Sequence, residues 1–224
     1  MIENILFLIF LVLLIHYVIF LSKIYVGLSK LTNQVGEKIP DEFVSIIIPF
    51  RNEEKNILNT YTSLTSQSYP QEKFEIIFVN DSSDDNSLLL LENLSKKENV
   101  FIYSVPKDYS ANAHKKRAIR FGIEQSRGEI IVTTDADCIH QKAWLKNLLK
   151  FMDEKTGFVS GPVEFISDSS LFSRMQRLEF AGLVITGAGL IGSGNPIICN
   201  AANIAYRKKA FDEVGGFTYQ MSLS

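Results

Sequence analysis

The sequence predicts an α/β fold with a mainly parallel sheet, flanked by helices and preceded by one transmembrane helix. Short apolar runs alternate with stretches of helical periodicity at ~30 residues per unit, as in sheets built with right-handed crossovers. The short runs are rich in Ile and Val, as in strands that are buried on both faces. A much longer apolar run opens the chain, and it has the length of a membrane span.

The opening run predicts a membrane anchor. Almost every residue from Ile5 to Leu21 is apolar, and at ~1.5 Å per residue such a helix can cross a hydrocarbon core about 30 Å thick. A cleaved signal peptide is the alternative, but the run is long and lacks a basic start and a small-residue cleavage site. The positive-inside rule predicts a single-pass anchor in the cytoplasmic membrane with the rest of the chain in the cytoplasm. The charges that bear on it are Glu3 before the span and Lys23, Lys30 and Lys38 after it.

Composition narrows the classes of function. The chain has 224 residues, a net charge of −2 and 46% hydrophobic residues, which suits a globular domain with a sizeable core. Because the charge is near neutral and no basic stripe is interleaved with aromatic residues, nucleic acid is not an expected partner. Cys138 and Cys199 are the only cysteines, so the sequence predicts neither a disulfide scaffold nor a zinc ribbon, and it fits a reducing compartment.

The chain divides into three predicted segments, which are an anchor at 1–26, a polar tether at 27–43 and one α/β domain at 44–224. Strands of the domain are predicted at 44–49, 74–79, 100–104, 130–134, 158–165 and 205–207. Helices are predicted at 52–66, 87–97, 114–125, 141–152 and 171–185.

Polar clusters follow three of the predicted strands, at 51–53, 81–85 and 135–137. In an open α/β sheet, ligands bind in the crevice outside the carboxyl ends of the strands, so we expect the clusters to meet at one edge. Asp81 is suited to accept hydrogen bonds from a nucleobase imide or a ribose hydroxyl. Taken alone, such an aspartate is better explained as a helix N-cap.

Asp135 and Asp137 form the most informative of these clusters. Residues two apart in an extended chain point the same way, and two close carboxylates repel each other unless a cation lies between them. Mg²⁺ or Mn²⁺ would remove that repulsion and bridge to substrate phosphates. The alternative is a turn in which both aspartates cap a helix that begins near Gln141.

Three further features have more than one interpretation. Lys115 either offsets the charge of a pyrophosphate or belongs to a solvated basic helix face. Residues 187–192 match G-x-G-x-x-G, but we reject a dinucleotide site because no strand precedes them and Pro196 stops a following helix. We interpret these glycines as a flexible segment near the active site. His140 is interpreted as a residue at the start of a helix.

Five motifs that occur in order resemble those of family 2 glycosyltransferases, which have the Rossmann-like GT-A fold. The motifs are 44–54 (VSIIIPFRNEE), 79–85 (VNDSSDD), 115–122 (KKRAIRFG), 128–137 (GEIIVTTDAD) and 205–217 (AYRKKAFDEVGGF). The resemblance spans 44–224, and the ordered set is far more specific than any one motif. It implies transfer of a sugar with inversion from a nucleotide-sugar, commonly a UDP-sugar, to a glycan or lipid-linked acceptor.

The resemblance also implies roles for individual residues. Asp135 and Asp137 would form the D-x-D motif that holds Mg²⁺ or Mn²⁺, with Asp137 as the direct ligand. The residues implied to bind the donor are Pro49, Arg51, Glu53, Asp81, Lys115, Asp135 and Ala136. Asn200 and Asn203 are candidate contacts to donor or acceptor, and Gln176 with Glu179 resembles a Q-x-x-E pattern of membrane-bound members.

The sequence departs from the family pattern at three places. The family has two acids where this chain has Asn80 and Asp81, and an asparagine where Arg120 stands. An inverting transferase needs a general base, which in the family is an aspartate shortly after G-G-F. Here residues 215–217 are followed by seven residues without Asp or Glu, so we expect the base just after Ser224 and none within the chain.

Two other functions remain open on these residues. The first is a membrane-tethered protein, or truncated enzyme, that binds a nucleotide-sugar without transferring it. The second is a protein similar to sugar nucleotidyltransferases, which would need a glycine- and arginine-rich loop after the first strand. Residues 50–53 (FRNE) are not such a loop.

Overall fold

The structure is a computed structural model that describes residues 1–31, 39–94, 97–109, 114–166 and 168–217. The described residues form two compact units. The first contains residues 1–31 and the described part of 162–200, and the second contains the described parts of 39–161 and 201–217. The two units are described separately below.

Six strands in the described part of the second unit form one sheet in the order β3-β2-β1-β4-β6-β5. The strands are β1 (Val44–Phe50), β2 (Phe74–Asn80), β3 (Val100–Ser104), β4 (Ile130–Thr133), β5 (Phe158–Ser160) and β6 (Ile204–Arg207). Strands β1 to β4 are parallel to one another, whereas β6 is antiparallel to both β4 and β5. The predicted α/β fold with a mainly parallel sheet is confirmed.

The central strands are buried on both faces of the sheet. Successive strand residues point to opposite faces, so Ile46 and Ile48 enter one core cluster whereas Ile47 enters the other. Leu64 belongs to the first cluster and Ile123 to the second, which shows that helices cover both faces. This double cover explains why the strands read as continuous apolar runs rather than as alternating patterns.

The helices of the second unit are α2 (Ile57–Thr65), α3 (Ser87–Leu94), α4 (His114–Gln125), α5 (Trp144–Leu149) and α7 (Lys208–Glu213). Helix α4 and strand β3 have their predicted bounds. Helix α2 begins at Ile57 rather than near Asn52, because Asn52 has a φ of 58° that a helix does not allow. The predicted strand 158–165 ends at Ser160, and the next amide, that of Gly161, donates to the Asn203 carbonyl oxygen (2.8 Å).

The first unit contains α1 (Ile2–Leu31) and α6 (Leu171–Gly192). Among the described residues, α1 is the one helix that is long and apolar enough to cross a membrane, with a mean hydropathy of 2.9 over its best 18-residue window. The interpretation of 187–192 as a flexible segment is wrong, because all six residues belong to α6. Two of these glycines pack against α1, and this contact is described further below.

Candidate functional site

The carboxyl ends of β1, β2 and β4 lie side by side in the sheet. Phe50 pairs with Asn80, and the amide of Asp81 donates to the Phe50 carbonyl oxygen (2.9 Å). From β1 the chain builds β2 and β3 on one side and then returns to place β4 on the other. The strand order therefore reverses beside β1, and such a reversal opens the crevice where open α/β sheets bind ligands.

Pro49 lies within β1 on the side of this crevice. The Ile47 carbonyl oxygen accepts from Thr134 on the β4 side (3.3 Å), whereas the Phe50 carbonyl faces β2. Because backbone groups alternate between the two neighbours, the nitrogen of Pro49 faces β4. The pairing of β4 ends at Thr133, opposite Ile47, so the missing N–H of proline costs no hydrogen bond of the sheet.

The loops that follow β1 and β2 are joined to each other by hydrogen bonds. Three successive amides of the first loop donate to side-chain oxygens of the second. The pairs are Asn52 with Ser83 (3.1 Å), Glu53 with Ser87 (2.8 Å) and Glu54 with Asp85 (3.0 Å). The Glu53 carboxylate accepts from the side-chain amide of Asn56 (2.9 Å), while Arg51 is exposed. Much of both polar clusters therefore shapes the crevice rather than facing it.

Asp81 is buried and its carboxylate is held by the first turn of α4. The Nε of Arg117 donates to Oδ1 (3.1 Å), a second guanidinium nitrogen of Arg117 contacts the same oxygen, and His114 Nδ1 lies 3.1 Å from Oδ2. The role of Arg117 is not predicted by the sequence. The basic residues at 114–117 are visible there, but their local pattern does not indicate a partner after β2.

Lys115, on the same turn of α4, contacts the end of β4. Its Nζ lies 2.5 Å from Oδ1 of Asp135. Lys115 is exposed to solvent, and the same turn of α4 contacts the carboxylates that follow both β2 and β4. Arg120 lies further along α4, where it pairs with Glu124 at the surface (3.3 Å).

The turn 135–138 is held by its own backbone and by α2. The amide of Cys138 donates to the Asp135 carbonyl oxygen (3.2 Å), and the buried hydroxyl of Thr60 donates to the Ala136 carbonyl oxygen (2.6 Å). Ala136 is buried, Asp135 is partly buried and Asp137 is exposed. Neither aspartate caps a helix near Gln141, because α5 begins at Trp144 and has no side-chain cap.

The two carboxylates of this turn fit a hard divalent cation. In nucleotide sites, Mg²⁺ binds one or two carboxylates and completes its shell with phosphate oxygens and water. No group of three or more His, Cys, Asp or Glu among the described residues is arranged for a metal. Burial, followed by the charges of Asp137 and Asp135, raises the pKa of the Cys138 thiol to about 11, so the thiol is protonated near pH 7.

A chain of polar and aromatic contacts supports the turn from behind. The Thr134 hydroxyl lies 2.9 Å from His140 Nε2, the His140 ring stacks on Trp144 with 3.9 Å between centroids, and Trp144 Nε1 donates to Asn203 Oδ1 (3.0 Å). Burial lowers the pKa of His140 to about 4, so the ring is neutral near pH 7. His140 thus supports the site, and α5 begins four residues after it.

A comparison with known protein families assigns the chain to one of them. The family model described as "Glycosyl transferase family 2" matches residues 45–215. The chain belongs to glycosyl transferase family 2. The chain is 32% identical over 139 residues to the probable glycosyltransferase YdaM of Bacillus subtilis, covering 61% of this chain and 33% of that protein. It is 30% identical over 179 residues to the poly-beta-1,6-N-acetyl-D-glucosamine synthase of Staphylococcus aureus, covering 78% of this chain and 42% of that protein.

The chain spans less than half the length of these two relatives. A solved structure with the same fold is the mannosyltransferase PcManGT from Pyrobaculum calidifontis in complex with GDP-Man and Mn²⁺. It is 20% identical, has a TM-score of 0.64, and its likeness covers 91% of this chain and 56% of that one. Together with the family match, this likeness confirms the predicted GT-A fold.

In this member of family 2, the structure brings together some of the residues that the resemblance implied, whereas others belong to the first unit. Lys115 contacts Asp135, and Pro49 and Asp81 line adjacent strand ends. Asn203 faces Trp144, whereas Asn200 belongs to the first unit. Gln176 and Glu179 also belong to the first unit, on α6. The general base expected after Ser224, like residues 218–224, lies outside the described residues.

Proposed function

We propose that the protein is an inverting glycosyltransferase that takes a sugar from a UDP-sugar and transfers it to a glycan or lipid-linked acceptor at the cytoplasmic face of the membrane. Membership of family 2 supports glycosyl transfer. The observation that carries the proposal is that one turn of α4 contacts both Asp81 and Asp135, which follow the two strands on either side of β1. A nucleotide needs both kinds of contact, one for its base and one for its phosphates.

Asp81 is the proposed contact to the nucleobase. Arg117 donates to one of its oxygens and so presents the carboxylate as a hydrogen-bond acceptor. An acceptor pairs with the ring N–H of uracil or guanine, whereas cytosine and adenine have an unprotonated ring nitrogen at that edge. This chemistry favours UDP- and GDP-sugars over CDP- and ADP-sugars, and the family resemblance favours UDP.

The turn 135–137 is the proposed contact to the diphosphate. Asp135 and Asp137 would hold Mg²⁺ or Mn²⁺, which when bound supplies Lewis-acid stabilisation to the departing nucleoside diphosphate. The ammonium group of Lys115, already placed beside Asp135, adds a second positive charge at the same edge. Thr60 and His140 keep the turn in its place through the Ala136 carbonyl and Thr134. PcManGT, which has this fold, was solved with Mn²⁺ and a nucleotide-sugar, which supports a cation at this kind of site.

Helix α1 is the proposed membrane anchor. It is apolar over its length and exposed, and Lys23 and Lys30 follow the apolar run, which the positive-inside rule associates with a cytoplasmic domain. An acceptor that is a glycan or a lipid-linked sugar fits this location. The name of the S. aureus relative, which describes synthesis of a polymer of N-acetyl-D-glucosamine, supports a glycan acceptor.

A thermal-shift screen of the full chain in detergent tests the donor class. UDP-sugars, GDP-mannose, CDP and ADP are compared with Mn²⁺ present and with the metal removed by chelator. We expect UDP-sugars to raise the melting temperature only with Mn²⁺, because the cation would bridge the diphosphate to Asp135 and Asp137. A ligand at 100 times its Kd adds about 2.7 kcal/mol to the free energy of unfolding. No shift with any nucleotide in Mn²⁺ would contradict the proposal.

Release of UDP in the presence of a membrane extract then separates transfer from binding alone. Turnover supports the transferase, whereas tight binding without turnover supports the alternative of a tethered nucleotide-sugar-binding protein. Formation of a UDP-sugar from UTP and a sugar phosphate would instead support the nucleotidyltransferase-like alternative, which the sequence of the loop after β1 disfavours.

A further inference from the structure

One face of α6 carries apolar residues that are exposed in the described structure. Residues that follow one another at steps of three or four lie on one face of a helix. This face, called here the α6 stripe, consists of Leu171, Met175, Leu178, Gly182, Ile185, Gly189 and Gly192. Its four large side chains have exposed fractions between 51% and 75%. A contiguous apolar surface of this kind marks a place of interaction rather than a water-facing helix.

The C-terminal end of the same stripe packs against α1, backbone to backbone. A Cβ added to Gly189 would lie 2.6 Å from Ile24 Cγ2, and one added to Gly192 would lie 2.2 Å from the carbonyl oxygen of Gly27. A Cβ on Gly27 would in turn lie 1.8 Å from the Gly189 carbonyl oxygen. Close approach through small residues is typical of helix pairs in membranes. The contacts follow the same order along both helices, so the two helices run in the same direction where they touch.

The α6 stripe therefore continues a surface that already belongs to the candidate membrane helix. None of the most apolar 18-residue window of α1 is buried, so whatever surrounds α1 also adjoins the stripe. Arg174 and Arg177 are exposed on α6, and Arg177 pairs with Glu164. The uncharged part of α6, from Phe180 to Gly192, would measure only about 20 Å, which is too short to cross a bilayer.

We propose that the α6 stripe lies against the lipid bilayer beside α1, so that α6 is a second membrane-contacting helix that does not span the membrane. The glycine contact with Gly27 fixes α6 beside the end of the anchor. This inference rests on the membrane anchoring of α1 that belongs to the proposed function. A second copy of the chain would cover the stripe equally well, but it would not explain its continuity with the exposed surface of α1.

The depth of a label on α6 tests the proposal. The full chain, with Cys138→Ser and Cys199→Ser, is placed in vesicles of phosphatidylcholine and phosphatidylglycerol, and Leu178→Cys is labelled with a polarity-sensitive fluorophore. Gln176→Cys, on the opposite side of the helix, is the matched control. At position 178 we expect blue-shifted emission that nitroxide-labelled lipids quench and iodide does not. At position 176 we expect emission that iodide quenches and nitroxide-labelled lipids do not.

Two results would overturn the proposal. If iodide quenches the label at position 178 as strongly as that at 176, the stripe faces water. If neither iodide nor the nitroxide lipids quench it, protein covers the stripe, as in a dimer. Resistance of the chain to carbonate extraction is measured in parallel. Extraction of the chain would contradict the anchoring role of α1, whereas a carbonate-resistant chain with a water-exposed label contradicts the α6 proposal alone.

A pair of glycine substitutions tests the contact with α1. Gly189→Leu would force a side chain into Ile24, whereas a Cβ at Gly182 meets nothing within 4 Å. We expect Gly189→Leu to separate the helices and return the label at position 178 to water, and Gly182→Leu to leave it quenched by lipid. Equal behaviour of the two variants would show that the glycine contact does not set the position of α6.

Discussion

Strand β1 and helix α1 are both apolar, but they reach opposite environments. All seven residues of β1 are buried, because helices cover the sheet on both faces. Of the thirty residues of α1, only Ile24 and Gly27 are buried, although burial of apolar surface is worth about 25 cal/mol per Å². The comparison shows that hydrophobicity alone does not define a core. The run in β1 stabilises the fold in water, whereas the exposed run in α1 is explained by the membrane anchoring that we propose.

The largest effect is expected from a cavity in the sheet. Phe78 is fully buried and its ring contacts Phe50 and Tyr61, so Phe78→Ala should lower the free energy of unfolding by about 3–5 kcal/mol. Leu13→Ala in α1 removes apolar atoms from an exposed site and should leave it unchanged. Chemical denaturation of the full chain in detergent, followed by the fluorescence of Trp144, the only tryptophan, measures both. Similar losses would mean that α1 is part of the folded core.

The second prediction concerns the same position in α1. Here the substitution should affect membrane insertion and leave the unfolding of the sheet unit unchanged. Leu13→Arg places a charge in the middle of the span, where it opposes insertion by about 2.5–3.5 kcal/mol. We expect carbonate to extract a larger fraction of the variant than of the wild type, while the unfolding reported by Trp144 stays as in the wild type. An unchanged extracted fraction would contradict the assignment of α1 as the anchor, and Leu13→Ile is the matched control.

The third effect is a pH dependence that only the sheet unit should show. Burial lowers the pKa of His140 from 6.5 to about 4, so between these values the unfolded chain binds a proton that the folded chain does not. Stability should therefore rise with pH across this window, and going from pH 7 to pH 5 should cost about 2 kcal/mol. Denaturation at both pH values checks this, and His140→Gln should remove most of the difference. An unchanged difference in that variant would assign the pH dependence to other groups.

The smallest effect concerns the hydroxyl of Thr60, whose loss should change both the free energy of unfolding and the affinity for Mn²⁺ with UDP. Thr60→Val keeps the shape of the side chain but removes the donor to the Ala136 carbonyl oxygen, at a cost of about 1 kcal/mol. We expect it also to weaken the binding of Mn²⁺ with UDP several-fold, because the turn that carries Asp135 and Asp137 loses its support. Thr60→Ser should restore binding. Equal affinity for all three proteins would limit Thr60 to a role in packing.

The parts of the fold that could be predicted are those set by local patterns. Strand β3 and helix α4 have their predicted bounds because periodicity and composition agree there. The start of α2 could not be predicted, since Asn52 is drawn out of the helix by hydrogen bonds to Ser83 and Asp84, about thirty residues away. Local propensity does not include such partners.

The candidate site shows the same division. The resemblance named Asp81, Asp135 and Lys115 by position, but the pairing of Asp81 with Arg117 depends on how α4 lies across the sheet. The glycines of 187–192 were misinterpreted because glycine disfavours helices. In α6, Gly189 and Gly192 are required by the approach of α1, a contact between segments more than 150 residues apart in the sequence.

The most direct test of the central claim is a calorimetric titration of UDP into the full chain in detergent with Mn²⁺. The proposed site predicts saturable binding at one site per chain, which disappears with chelator and in Asp137→Asn and weakens in Asp81→Asn. The melting temperature of each variant shows that it remains folded. Absence of UDP binding by the wild-type chain in Mn²⁺, or undiminished binding by Asp137→Asn, would contradict a nucleotide site at the ends of β1, β2 and β4.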